Sequence, residues 1–209
     1  WGNDTIVASA QTAGVIVFAS GGNDSVFGSA HDDTIWLGVG DDTARGDDGD
    51  DVIVGEFGAD HLFGDGGDDS LYVDDTDTFN GGAGTDALYI TAGDGMTIDM
   101  GATEVEWVGD FAGGADHITT AANVDSVVYA GGGDDEITGL NGNDFLWGGA
   151  GDDVISGGAG NDTLVGGGGA DTLAGGSGAD TIFANSGGGG DGAVDTIVFD
   201  APGWGIDFV

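Results

Sequence analysis

A nine-residue period governs this chain. Residues 157–165 read Gly-Gly-Ala-Gly-Asn-Asp-Thr-Leu-Val, and residues 166–174 and 175–183 repeat the same pattern, Gly-Gly-x-Gly-x-Asp-x-U-x, where U is a large aliphatic residue. A repeat this short must be settled before anything else, because one unit cannot bury its own apolar side and only stacked copies can. The eighth position holds its phase through Val17, Val26, Ile35, Ala44, Ile53, Leu62 and Leu71, and again through Ile137, Leu146, Ile155, Leu164, Leu173 and Ile182. In the same phase the sixth position is Asp24, Asp33, Asp42, Asp51, Asp60 and Asp69, then Asp135, Asp144, Asp153, Asp162, Asp171 and Asp180. High glycine and charge alone suit a disordered chain, but disorder gives no reason to keep a carboxylate and an aliphatic side chain in fixed register.

The repeat predicts its own fold. The x-U-x triplet is a short strand that turns U to one side and its neighbours to the other. The six residues before it are rich in glycine, which takes the positive φ angles of tight turns. Strand, turn, strand, turn then closes a coil of two repeats, and stacked coils give an all-β parallel β-roll: a β-solenoid with two strands per 18-residue coil. About 20 strands make about ten coils, roughly 50 Å long at about 4.8 Å per coil. The expected core is one aliphatic side chain deep on each side, thin enough that burial alone is marginal.

The pattern weakens midway. Between residues 90 and 113 the sixth-position Asp disappears, while Leu88, Ile98 and Trp107 keep spacings of ten and nine and Met96, Met100 and Val105 add apolar bulk. This division gives a first repeat block at 1–89, degenerate coils without metal ligands at 90–113, a second block at 114–199, and the start of a post-repeat region at 200–209. Two separate rolls joined by a loop are the alternative. A Gly-rich excursion at 186–192 precedes the last strand-like stretch, and the chain opens in mid-repeat, as a piece of something longer would.

Charge sets the ligand. The 209 residues include 39 Asp and Glu against one basic residue, Arg45, a formal charge of −38. Self-repulsion on that scale destabilises a compact state, so cations are the natural partner. Nucleic acid and anionic membranes both demand Lys and Arg and are excluded. No apolar run reaches membrane-spanning length, and the absence of Cys rules out a disulfide framework. Turns on one edge of the roll recur every 18 residues, so Asp24 faces Asp42, Asp33 faces Asp51, and likewise up to Asp162 facing Asp180. A cation between such turns meets carboxylates and glycine-bared carbonyls. Calcium, which takes six to eight oxygens at about 2.4 Å, fits; magnesium, bound to a strict octahedron and its own water, does not. Zinc needs His or Cys clusters, and none is present. Undamaged repeats alone supply about eight Ca2+ sites.

The tandem motif resembles the repeats-in-toxin (RTX) calcium-binding nonapeptide family over about two thirds of the chain. The resemblance implies calcium held by the twelve sixth-position Asp and by backbone carbonyls near positions two and four. Here the fourth position is Gly22, Gly40, Gly49, Gly58, Gly67, Gly133, Gly142, Gly151, Gly160, Gly169 and Gly178. It also implies a secreted bacterial protein, exported unfolded by type I secretion and folded outside the cell or at its surface. Departures carry expectations of their own. His31 replaces the fourth-position Gly, straining the turn at Asp33. Leu37, Leu140, Asp47, Glu56 and Asp65 replace glycines at positions one or two, which carbonyl ligation tolerates. Thr78 falls where a carboxylate belongs, so the first column frays after Asp69. The ending Ile206-Asp207-Phe208-Val209 is read as a truncated post-repeat region rather than an export signal.

Catalysis has no foothold in this pattern. His31, His61 and His117 stand in separate repeats, read as solvated. Trp36 and Trp147 fall at outward ninth positions, read as packing. Paired acids such as Asp41-Asp42 mimic a glycosidase pair, but they recur from repeat to repeat and belong to the ligand column or its rim. The reading is a non-enzymatic calcium-folding module, its parent a surface-layer or adhesin protein with self-association or matrix partners; a secreted hydrolase or toxin using the block for export is the alternative. A flat Thr-x-Asn row suited to ice is missing.

Overall fold

The computed structural model describes residues 2–185 and 192–199. The end of the chain from residue 200 and most of the glycine-rich excursion at 186–192 lie outside these residues. Short parallel strands dominate, and the chain divides into two compact units. The first contains residues 2–93 and 103–107, the second 94–102 and the described residues from 108 onward.

In the first unit the strands are β1 (Thr5–Val7), β2 (Ile16–Phe18), β3 (Ser25–Phe27), β4 (Thr34–Val39), β5 (Thr43–Asp48), β6 (Val52–Phe57), β7 (His61–Gly66), β8 (Ser70–Asp74), β9 (Thr78–Ala83) and β10 (Ala87–Ala92). Odd strands pair only with odd, and even with even, in the orders β1-β3-β5-β7-β9 and β2-β4-β6-β8-β10. Registers such as Ala44↔Leu62 and Ile35↔Ile53 show the 18-residue coil of the expected β-roll. Many strands run six residues rather than the three of x-U-x, because positions one to three also stack on the next coil, as in Gly38↔Glu56.

Next in the chain come β11 (Thr97–Asp99), a helical turn α1 (Met100–Thr103) and β12 (Trp107–Asp110), where the unit boundary falls. The second unit continues with β13 (His117–Thr119), β14 (Val127–Gly132), β15 (Glu136–Thr138), β16 (Phe145–Ala150), β17 (Val154–Ala159), β18 (Thr163–Gly168), β19 (Thr172–Ser177), β20 (Thr181–Asn185) and β21 (Thr196–Val198). Its sheets are β11-β13-β15-β17-β19-β21 and β14-β16-β18-β20.

The eighth-position side chains fill the core: Ile35, Ala44, Ile53, Leu62, Leu71, Leu146, Leu164 and Leu173 are wholly buried. Alternation along the strand also turns position one inward. That position is usually Gly, but Leu37, Val73 and Ile90 place buried hydrocarbon there. In the degenerate middle Trp107 is not the core residue its spacing suggested. Val108 is buried instead, and Trp107 tilts against Tyr89 at 4.8 Å. The outward ninth positions pack on one another, with Trp36 stacked on Phe18 at 4.7 Å and Tyr72 on Tyr89 at 4.6 Å. Arg45 lies 4.2 Å from the Phe63 ring and pairs with Asp65 at 2.7 Å.

Candidate metal centre

Each turn begins at an inward position one and ends at the sixth-position Asp. That Asp is buried in every intact repeat, at 2 % relative exposure or less. Its Oδ1 accepts the backbone N–H of the Asp one coil earlier, at 2.6 Å from Asp24 to Asp42, 2.7 Å from Asp33 to Asp51, 2.8 Å from Asp51 to Asp69 and 2.9 Å from Asp144 to Asp162. The 18-residue pairs read from the sequence are thus direct neighbours. Oδ2 has a different fate. In Asp24, Asp42, Asp51, Asp60, Asp69, Asp135, Asp153 and Asp162 this oxygen is buried and accepts no hydrogen bond. Buried polar atoms are nearly always paired, and an exception calls for a reason.

The backbone around Oδ2 offers more oxygen. All eleven fourth-position glycines, from Gly22 to Gly178, have φ between +128° and +146°, a region that a side chain resists. A Cβ on Gly40, Gly58, Gly151, Gly160 or Gly169 would overlap the carbonyl oxygen of the fourth-position glycine one coil before, Gly22, Gly40, Gly133, Gly142 or Gly151. At position one, a Cβ on Gly46, Gly64 or Gly157 would meet both the unpaired Oδ2 of its own turn and the carbonyl of the next coil. Carboxylate and carbonyl oxygens therefore line one cradle with no nitrogen or sulfur donor. Among the described residues no three His, Asp or Glu side chains gather into a cluster of their own, so a cation here must draw on the backbone. That donor set is hard, multidentate and all oxygen, and it fits calcium.

With no cation beside them these carboxyls resist ionisation. Burial, reinforced by neighbouring carboxylates and opposed by the backbone N–H bond, pushes Asp51, Asp60 and Asp153 up to about 7. The same forces push Asp69, Asp135 and Asp162 up to about 6, and raise Asp42. Burial also raises Asp144, whose Oδ2 lies 3.4 Å from the Thr120 hydroxyl.

A second ladder runs along position five with the opposite polarity. Asp50 N donates to Asp32 Oδ1 at 3.1 Å, Asp68 N to Asp50 at 2.9 Å, and Ala179 N to Asn161 at 2.9 Å. Here Asn and Asp serve alike, since one neutral oxygen suffices. Position six is Asp in all twelve intact repeats. Both acids of a pair tie coils together, the exposed one through position five and the buried one through its Oδ1, but only the buried one also holds a second, unpaired oxygen in the cradle.

The profile of the RTX calcium-binding nonapeptide repeat matches in four copies, at residues 16–44, 45–76, 129–164 and 156–189, more than half of the chain. The chain belongs to this family. A comparison of the whole RTX chain with curated proteins finds no match.

Several departures from the RTX pattern resolve differently from the sequence expectation. The first column does not fray after Asp69. The turn at 73–77 is one residue short, so Asp77 rather than Thr78 takes position six and accepts Asp60 N at 2.8 Å; Asp86 likewise accepts Asp69 N at 2.8 Å. A fixed count of nine overlooks this slip. His31 does not enter the left-handed region. The Asp33 turn instead satisfies itself, with Ser29 N donating to Asp33 Oδ2 at 2.5 Å and Ser29 Oγ to Oδ1 at 3.0 Å. Substitution at position two has a conformational cost, because Asp47, Glu56 and Asp65 hold φ of +79°, +72° and +73°; Leu37 and Leu140 do not. Asp110 is buried in the stretch read as ligand-free, and Asp116, in the opening repeat of the second block, is buried too and pushed up to about 7 by burial and by Asp110. His31, His61 and His117 are exposed, with His117 Nδ1 3.0 Å from Glu136.

Proposed function

We propose that this chain is a calcium-dependent folding module of a secreted bacterial protein, with two repeat blocks that hold Ca2+ through the sixth-position Asp and the glycine carbonyls of the turns. One observation carries the reading: a column of buried carboxylate oxygens without hydrogen-bond partners, in a chain of net charge −38. Bound calcium supplies divalent charge that cancels the repulsion within each column. The chain's own contribution is geometric. The Oδ1 bonds and the position-five ladder fix the coil spacing, and left-handed glycines keep hydrocarbon away from the carbonyls. Because the cradles exist only when coils stack, binding energy becomes folding energy. The chain is therefore unfolded where calcium is scarce and folded where it is millimolar, which suits passage through a type I secretion channel and folding outside. Its chemistry is ligation rather than catalysis.

No helix among the described residues is long and apolar enough to cross a membrane. RTX repeats are typical of secreted bacterial proteins, and the near-absence of Lys and Arg together with the length of the repeat favours a structural parent, a surface-layer or adhesin protein with self-association or matrix partners. A calcium titration followed by far-UV circular dichroism tests the module, with magnesium as control. A cooperative coil-to-β transition with calcium alone is expected; a chain fully folded in chelator overturns the reading.

A further inference from the structure

Arg45 is the chain's only Lys or Arg, and its side chain belongs to the outer face of the first unit rather than to the metal columns. The ninth-position column there runs Val7, Phe27, Arg45 and Phe63 on the neighbouring strands β1, β3, β5 and β7. Position two brings Asp47 beside Asp65 in the same register. Both columns contribute to a cleft of about 210 Å3, whose lining includes Val7, Ser9, Phe27, Arg45, Asp47 and Asp65. Asp47 and Asp65 hold φ of +79° and +73°, a region that a side chain resists, where the following coil has Gly82. Backbone strain that persists beside a cleft is a pointer to function. For Asp65 the ion pair with Arg45 compensates it. Asp47 is exposed and makes no hydrogen bond or ion pair among the described residues, so nothing within the fold does the same for it.

The cleft offers donors and acceptors side by side. Arg45 spends one of its five N–H groups on Asp65 and keeps 42 % of its side chain exposed, which leaves donors open to a ligand. Asp47 adds a free carboxylate, and Phe27 and Val7, 40 % and 62 % exposed, add an apolar wall. A hydroxyl both donates and accepts, so two adjacent ring hydroxyls can give a hydrogen to Asp47 and take a bond from Arg45 while the C–H face of the ring covers Phe27. Anions are repelled by the two carboxylates, and cations by the guanidinium. The volume lies below the about 300–1,000 Å3 of drug-sized sites, which suits a single ring. We propose that this cleft binds a neutral pyranose residue through Arg45 and Asp47, with Phe27 as its apolar wall. The site goes beyond calcium-dependent folding: the metal columns hold the coils, and the cleft recognises a saccharide on their outer face.

The test uses the full chain at saturating calcium. Saturation-transfer NMR probes the methyl glycosides of glucose, galactose and mannose, with methyl glucuronide as the anionic control, and titration gives Kd. Transfer to the ring C–H protons of at least one neutral glycoside is expected, with weaker transfer to the glucuronide. Asp47→Gly separates binding from structure, because glycine adopts this positive φ freely. It is expected to keep or raise the thermal midpoint and to weaken binding about tenfold, the scale of one hydrogen bond to a charged group. Arg45→Met is expected to weaken binding as much, and Asp48→Asn, an exposed neighbour outside the cleft, to leave it unchanged. No transfer to any neutral glycoside, a preference for the glucuronide, or undiminished binding in Asp47→Gly overturns the site.

Discussion

The two turn edges of the first unit share one hydrogen-bond ladder and differ in lining. Turns after β3, β5, β7 and β9 place Gly28, Gly46, Gly64 and Gly81 inward, against Asp33, Asp51, Asp69 and Asp86, while the turn after β1 opens on the buried Ala8. Turns after the even strands place Ala19, Leu37 and Val73 there, with Gly55 the exception. Both edges keep the bond from each Asp N–H to the next Oδ1, for example Asp51 to Asp69 and Asp42 to Asp60, each at 2.8 Å. Coil registration and ion demand are therefore separable. The ladder sets the first; we expect the size of the position-one side chain to set the second, even though Asp42 beside Leu37 keeps a buried, unpaired Oδ2 as Asp51 does. In the second unit Thr120 and Ala130 take position one after β13 and in β14, but Gly139, Gly157 and Gly175 on the odd side and Gly148 and Gly166 on the even side take it from β15 to β19, so there both edges resemble the glycine-lined edge of the first.

Acid breaks this comparison most broadly, because protons act on both edges alike. Asp51 on one edge and Asp60 on the other are both held up to about 7 in the fold, against 3.8 for an ordinary carboxyl. A raised folded-state value means that the folded chain binds more protons between about pH 4 and 7. Its metal-free stability is then greatest at the acid end and falls as pH rises through 6 to 7. In chelator, β content by circular dichroism is expected to increase from pH 7.5 to pH 4.5. With calcium the sign reverses, because the ion needs ionised carboxylates and its folding midpoint climbs as pH drops. A metal-free chain that gains structure with rising pH contradicts the burial argument.

Single substitutions sharpen the comparison. Asp51→Asn on the glycine-lined edge keeps an acceptor for Asp33 N but loses the anionic Oδ2. The calcium concentration at half-folding is expected to rise about tenfold, the scale of one charge-assisted interaction of about 1.5 kcal/mol. Asp42→Asn, beside Leu37, is expected to move that midpoint less than about twofold by the same reasoning. Equal shifts would mean that position one does not govern loading. Hydrocarbon gives the mirror image. Leu37→Ala is expected to cost about 2–5 kcal/mol of calcium-saturated stability as a core truncation, with the ion count unchanged. Gly46→Ala overlaps Asp51 Oδ2 and is expected to lower the count.

Much of this was legible before the fold was known, because the period carries both the strand and the ligand. A phase-locked U and Asp leave little freedom in topology, and the 18-residue facing pairs follow from coil length alone. What stayed hidden depends on length changes and on orientation. The one-residue slip that promotes Asp77 is invisible to a fixed count, yet the strand register after it, Leu62↔Phe79, absorbs the change at once. Trp107 looked like a core residue by spacing, but the longer path through α1 shifted the inward position to Val108. The inward facing of position one is hidden in the sequence because glycine there has no side chain to reveal it. A Ser at 29 beside a missing fourth-position Gly is the signal in the sequence for the self-satisfied turn at Asp33, since both of its donors reach that carboxylate.

Position five should yield the smallest effect and still tell the two ladders apart. Asp152 accepts Ala170 N at 2.8 Å from an exposed site, and its own N–H goes to Asp134 at 2.9 Å. Asn offers the same oxygen, as Asn161 does for Ala179 at 2.9 Å. Asp152→Asn is therefore expected to change calcium-saturated stability by less than about 0.5 kcal/mol, the usual size for an exposed substitution. Its neighbour Asp153→Asn, wholly buried with an unpaired Oδ2, should instead raise the calcium midpoint as Asp51→Asn does. Thermal melts and calcium titrations of the pair decide the matter. If the two adjacent substitutions behave alike, charge rather than placement governs binding, and the distinction between a tying ladder and a ligating one is lost.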